Sequence, residues 1–315
     1  MSVNGSISSS SAMSLDAAFD KCSEDVRSRA RNFWYGLRLL PPEQFHSLCA
    51  IYSWMRLADD LADAEDGGEP ADRRLALEGF RDRTLELFAG ETPPVVLGPE
   101  AHIFPALSRV LATNVLDPSD FTLMIEGQFA DLQPRTIQTR EQLLEYCDQV
   151  ASTVGRVCVR IWGGVGDECL RLATERGKAL QLTNILRDVR EDHLRRRCYL
   201  PEAEFQQAAL SRDALVSWES PVACRSFILK QVEQAQLHYQ NAEGLEALID
   251  SSARPTCWAM MRIYHALLMK IQHRPASIAG ESRIRLSSLR KLSIGMRARR
   301  LARREAASDS AGARP

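Results

Sequence analysis

Tyr52, Arg56, Asp59 and Asp63 fall at spacings of 4, 3 and 4 in the segment IYSWMRLADDLADAED. In a helix those intervals put all four on one face, with Asp60 about 100° off it. A second set, Gln181, Asn184, Asp188 and Asp192 in QLTNILRDVREDH, is spaced 3, 4 and 4 and also shares a face. Leu182, Ile185, Leu186 and Val189 take other positions and supply core contacts. Each stripe therefore carries two carboxylates at i and i+4. Like charges so placed repel by roughly 0.2–0.5 kcal/mol when exposed, and by more inside a cavity. Something positive should offset them. A hard divalent cation fits, because magnesium takes oxygen ligands, keeps several waters and bridges one or two carboxylates to substrate phosphates. Asp59, Asp63, Asn184, Asp188 and Asp192 are the expected metal ligands, with magnesium as the ion or manganese in its place. Arg56 and Arg187 can hold phosphate oxygens by forked hydrogen bonds. A single DDxxD commonly marks a solvated helix face; the second stripe makes chemistry the stronger reading.

The elements that must position these groups are helical. Proline and glycine fall mostly at punctuation points, among them Pro41-Pro42, Gly67-Gly68, Pro93-Pro94, Pro118, Gly163-Gly164, Pro221 and Pro255. Between them the periodicity predicts helices over 43–65, 70–90, 101–115, 118–132, 139–163, 166–194, 202–209, 211–218, 221–250 and 254–273, with a basic helix or tail over 284–304. Strand-like alternation is scarce, and no Gly/Ser-rich linker divides the chain. One all-α domain over 19–290 is expected, preceded by a disordered tail, 1–18, and followed by a basic helix or tail, 291–315.

The 315 residues carry 40 bases and 41 acids, so net charge gives no reason to expect a nucleic-acid partner. The eight cysteines form no CxxC and read as thiols in a reducing compartment, not a disulfide frame. MSVNGSISSSSAMS has neither the apolar run of a secretory signal nor the arginines of a transit peptide. No stretch is long and apolar enough to span a membrane. The expected location is the cytoplasm, with peripheral contact on the inner face of a membrane through 283–304, RIRLSSLRKLSIGMRARRLARR, which holds no acid.

Three blocks, YSWMRLADDLAD, YCDQVASTVG and QLTNILRDVREDHLRRRCYLP, resemble those of the squalene/phytoene synthase family, and RNFWYGLRLLP resembles its N-terminal signature. The resemblance runs from about residue 20 to 290. It implies an all-α isoprenoid-synthase bundle around a deep central cavity, and head-to-head (1'-1) condensation of two prenyl diphosphates. It places Asp59, Asp63, Asp188, Asp192 and Tyr52 in the catalytic set. It puts Tyr52, Arg56, Gln181, Asn184, Arg187 and Tyr264 at diphosphate- or metal-contacting positions. Tyr146 falls on a cavity-lining helix, and Arg197 adds positive charge near the departing group. Arg29, Ala30, Arg31 and Asn32 stand where the family often has a small hydroxyl-bearing stretch; arginine can still bind phosphate. Arg190 replaces a usual glycine but, at i+2 from Asp188, should point off the stripe. Asp148 replaces a common aromatic.

RxxDDLAD looks closer to the squalene-type members, so two farnesyl diphosphates going to presqualene diphosphate or squalene are expected; geranylgeranyl diphosphate, giving phytoene, is the alternative. A reductive finish would need NADPH, on which the sequence is silent. A non-catalytic, membrane-associated assembly factor of the same fold is the rival of another class; the four stripe acids speak against it. Gln128 and Asp131, one turn apart, could face the cavity or solvent. Oligomeric state is not legible.

Overall fold

Proline and glycine punctuation resolves into helices joined by short turns. The computed structural model describes residues 13–30, 34, 36–62, 69–91, 98, 100–132 and 136–312. In chain order its helices are α1 (Leu15–Arg29), α2 (Pro42–Ala62), α3 (Pro70–Phe88), α4 (Ile103–Thr113), α5 (Pro118–Asp131), α6 (Arg140–Cys147), α7 (Thr153–Ile161), α8 (Asp167–Leu194), α9 (Glu202–Gln207), α10 (Arg212–Ser217), α11 (Pro221–Asn241), α12 (Arg254–His273) and α13 (Ser288–Gly312). Among the described residues the one isolated β pairing is a parallel bridge between Thr136 and Cys198. The all-α expectation holds. Prolines open α3, α5 and α11, where a missing N–H leaves no bond unmade. Ser14 and Asp117 cap α1 and α5, accepting from Ala17 N at 3.3 Å and Ser119 N at 2.9 Å.

Four boundaries differ from the sequence reading. α1 begins at Leu15, inside the tail expected to be disordered through residue 18. Ala18, Cys22 and Val26 recur at i, i+4 and i+8 and are fully buried, so this apolar stripe outweighs the serine-rich composition before it. The helix expected over 139–163 is interrupted by a π turn, Asp148–Ser152, between α6 and α7. The helix expected over 221–250 stops at Asn241, ahead of Gly244 at φ 90°. α13 starts at Ser288 and so runs across the expected boundary at 290/291.

The core divides into two apolar clusters. Trp54, Phe80, Phe104 and Phe121 anchor one, and Leu143, Leu186, Ile228 and Leu268 the other. α8 serves both: Cys169, Leu172 and Ala173 face the first, and Ala179, Leu182 and Ile185 the second. Its 28 residues span about 42 Å. Two glycines let backbones meet along it. A Cβ on Gly155 of α7 would lie 2.8 Å from the Ala173 carbonyl oxygen. One on Gly177 of α8 would lie 2.5 Å from Ser152 Cα, in the π turn. Ser152 Oγ then donates to Thr174 O at 2.9 Å, which closes the contact.

Replacing Gly177 tests this packing. Alanine is the better helix former by about 1 kcal/mol, yet Gly177→Ala should lower unfolding free energy by about 1–3 kcal/mol through overpacking. Urea unfolding reads it; an unchanged midpoint would show that the π turn has room to move away.

Candidate active site

The two apolar clusters do not close against each other. A cavity of about 180 Å³ remains along their seam. Its wall is largely apolar and includes Met55 of α2, Val150 and Ala151 of the π turn, Cys158 of α7, and Cys257 and Met260 of α12. Gln181 and Asn184 of α8 and Tyr264 of α12 bring polar groups to it. A wider surface groove of about 1200 Å³, beside Arg27, Arg38 and His46, carries neither acidic stripe.

On α2, Met55 of the cavity wall immediately precedes Arg56 of the first stripe. Gln128 of α5 donates from Nε2 to Asp59 Oδ1 at 2.7 Å. Arg56 reaches Asp60 Oδ1 at 2.6 Å and lies 3.8 Å from Asp59. Arg29 of α1 also pairs with Asp60. Asp60, off the stripe by spacing, thus gathers both arginines. Burial raises the Tyr52 hydroxyl pKa, with Arg56 and Arg29 opposing. Asp63, Arg31 and Asn32 lie outside the described residues.

On α8 the second stripe is more enclosed. Asn184 Nδ2 donates to Gln181 Oε1 at 3.3 Å, while Asn184 Oδ1 is buried and accepts no hydrogen bond. Asp188 lies between two guanidinium forks. Arg187 donates to its oxygens at 2.8 and 2.5 Å, and Arg283, from the segment before α13, at 2.9 and 2.8 Å. Burial alone would raise the Asp188 pKa; the two forks outweigh it and hold the carboxyl below its ordinary value. Asp192 has the opposite balance. Burial, together with the charges of Asp188 and Glu191, pushes it up to about 7 against Arg197 and Arg195. Burial likewise raises Tyr264, against the nearby Arg187 and Asn184. Arg190 donates to the Ala279 carbonyl at 3.0 Å, off the stripe as its i+2 position implies. Asp148 accepts from Arg156 at 3.0 Å.

Between the stripes runs a polar rim. Asp131, one turn beyond Gln128 on α5, accepts from the Tyr146 hydroxyl at 3.0 Å. The Tyr146 ring stacks on Tyr199 with centroids 4.8 Å apart. Burial and Asp131 push Tyr199 up to about 12, with Arg197 and Asp192 also within electrostatic reach. Gln128 and Asp131 thus each bond a residue singled out from the sequence, Asp59 and Tyr146. Among the described residues no three His, Cys, Asp or Glu side chains gather closely enough to hold an ion by themselves.

On α2 the structure sets Tyr52, Arg56 and Asp59 within electrostatic reach of one another; on α8 it groups Gln181 with Asn184 and Arg187 with Asp188 and Asp192, with Tyr264 of α12 beside Asn184 and Arg187. Sequence reasoning did not single out Asp60, Tyr199 and Arg283, which pair with or stack on the residues it named. Tyr199 stood in the third block, in RRRCYLP. Arg283 had no local signal, being 95 residues from Asp188.

Residues 26–290 match the family model described as squalene/phytoene synthase. The chloroplastic phytoene synthase of Daucus carota is 32% identical over 264 residues, covering 82% of this chain and 64% of that one. The 15-cis-phytoene synthase of Synechococcus elongatus is 33% identical over 272 residues, covering 82% and 85%. The chain spans about three fifths of the length of the plant relatives it matches. Among solved structures, squalene synthase HpnC from Alicyclobacillus acidocaldarius superposes with a TM-score of 0.74 at 28% identity, over 82% of this chain and 95% of that one. A dehydrosqualene synthase in complex with ligand gives 0.78 at 23% identity over 91% and 96%, a likeness of fold.

The Asp192 environment makes a stability prediction. Its folded pKa lies above the unfolded value of about 3.9, so the ionised form is penalised on folding. That penalty is full above about pH 7 and vanishes as the pH falls towards 4. With chelator present, Asp192→Asn should stabilise the protein by on the order of a few kcal/mol at pH 8 and have little effect near pH 4. Thermal melts at both pH values check it, and a pH-independent difference would contradict the assigned environment.

Proposed function

Because this chain belongs to the squalene/phytoene synthase family, we propose that it joins two prenyl diphosphates head to head in the seam cavity. The observation that carries the reading is the position of that cavity. Its apolar wall passes into Gln181, Asn184 and Tyr264, beside the Asp188 forks, and α2 contributes Met55 to the same wall just ahead of Arg56. Prenyl tails have a dry place, and diphosphates have cationic and oxygen-rich groups at its edge.

The substrate expected from RxxDDLAD was the C15 diphosphate. The named relatives favour the alternative, since those at 32% and 33% identity are phytoene synthases. Geranylgeranyl diphosphate is the preferred substrate here. The solved squalene synthase at 28% identity supports the farnesyl reading as the second choice.

The donor set fits a hard divalent cation. The donors offered by Asp59, Asn184, Asp188 and Asp192 are all oxygens, Asn184 Oδ1 is buried without a partner, and Asp192 is buried beside the charges of Asp188 and Glu191. Bound there, and to Asp63, magnesium would act as a Lewis acid on the departing diphosphate. The allylic C–O bond of one substrate breaks heterolytically, and both bonding electrons leave with the diphosphate. Arg56 and Arg187 stand where that negative charge accumulates. The double bond of the second chain supplies the electron pair of the new C–C bond. Loss of a proton, to the released diphosphate beside Tyr52, closes a cyclopropane ring. Tyr52 and Tyr264, with pKa values raised by burial, stay protonated and can donate to diphosphate oxygens. The apolar wall excludes the water that would quench a cation. NADPH enters only if the product is finished reductively.

Purified protein incubated with magnesium and, separately, the C15 and C20 diphosphates should yield a C40 product from the latter, identified by mass spectrometry. A C30 product alone would restore the farnesyl reading, and neither product would end the enzymatic one. Asp59→Ala and Asp188→Ala should each abolish turnover while leaving helical circular dichroism intact. Gln128→Ala, which frees Asp59 from its hydrogen bond, should lower turnover about 10- to 100-fold; full activity would show that Asp59 needs no help from α5.

A further inference from the structure

Helix α13 has two faces with different surroundings. On one, Ile294 and Ala298 are buried against Ala259 of α12, and Glu305 accepts from Arg254 at 3.1 Å. Trp258 of α12 holds the guanidinium groups of Arg262 and Arg297, each 5.6 Å from its ring centroid. These contacts fix which way the helix faces. On the opposite side Leu289, Leu292 and Met296 recur at i, i+3 and i+7 and are 79%, 58% and 47% exposed. Helical spacing continues that stripe through Arg299, Arg300 and Arg303, all exposed. No acid occurs between Ser288 and Arg304. The groove between α12 and α13 adds Lys270, Arg274 and Arg290. The whole chain has a net charge of −1, so this is local basicity.

We propose that α13 docks this outward face on an anionic bilayer surface, lying in the plane of the interface. Arginines alone would suit any polyanion, including nucleic acid. The aliphatic wedge discriminates, because phosphate backbones do not reward exposed leucines. A bilayer interface rewards both groups: apolar side chains enter the acyl boundary and guanidiniums remain among the headgroups. Surface attachment is also the mode the helix permits, since among the described residues no helix is long and apolar enough to cross a membrane. The docked helix is joined to the site. Arg283, five residues before α13, holds Asp188, and Lys270 of α12 donates to the Arg285 carbonyl at 2.8 Å.

The test uses the full chain and co-sedimentation with vesicles of phosphatidylcholine alone, or of equal parts phosphatidylcholine and phosphatidylglycerol. The parent should bind the anionic vesicles and leave the neutral ones, more weakly as salt rises. A variant carrying R299S, R300S and R303S should lose affinity by on the order of a hundredfold. One carrying L289S, L292S and M296S should lose on the order of tenfold or more. Both sets of side chains point to solvent, so melting temperature and turnover on micelle-dispersed substrate should stay at the parent's values. Failure of the parent to sediment with anionic vesicles overturns the proposal. So does full affinity in the leucine–methionine variant, a pattern that belongs to a polyanion site. Equal binding to neutral vesicles likewise overturns it.

Discussion

Carboxylates at the edge of an apolar cavity must find positive charge or hydrogen bonds, and most of the polar contacts around this cavity answer that need. Removing an ion from water is costly, and only close, well-oriented partners recover the loss. Asp188 has two arginine forks. Asp60 has Arg56 and Arg29. Asp59 has the Gln128 amide. Asp192 is the exception: burial, with the charges of Asp188 and Glu191, outweighs Arg197 and Arg195, and its pKa climbs. The imbalance sits beside the second stripe, where one more cation would be most welcome.

The scaffold serves this arrangement by leaving space in one place and removing it in another. Gly155 and Gly177 bring α7, the π turn and α8 into backbone contact. A π turn commonly marks a functional position, because the extra residue redirects side chains. Here Val150 and Ala151 of that turn face the cavity. Gly155, Ala173 and Gly177, where these backbones meet, also line the cavity, so the close contact forms part of its wall.

Much of this was legible in the sequence. Spacings of 3 and 4 placed the stripes on helix faces, because that geometry is local and depends on nothing else. The helices were legible for the same reason, apart from α1, where serine-rich composition concealed an apolar stripe, and the π turn, whose extra residue leaves no mark in a heptad-like pattern. Long-range partners were not legible. Arg283 sits in a basic run that reads as a membrane-contacting segment, and only folding carries it to Asp188. Substrate length was not legible for a different reason. RxxDDLAD lies at the polar edge, where Asp60 engages arginines, whereas the apolar cavity is lined by residues far from that motif in sequence, such as Trp162, Leu245 and Cys257. Two substrates with one headgroup present the same face to the motif.

The cavity wall includes two thiols, Cys158 and Cys257. Burial pushes Cys158 up to about 12, and raises Cys257 despite the neighbouring Arg176. The thiolate, not the thiol, is the effective sulfur nucleophile, so at neutral pH both remain capped by their protons. The dryness that would let an electrophile persist in this cavity also holds these two sulfurs in their protonated, weakly nucleophilic form.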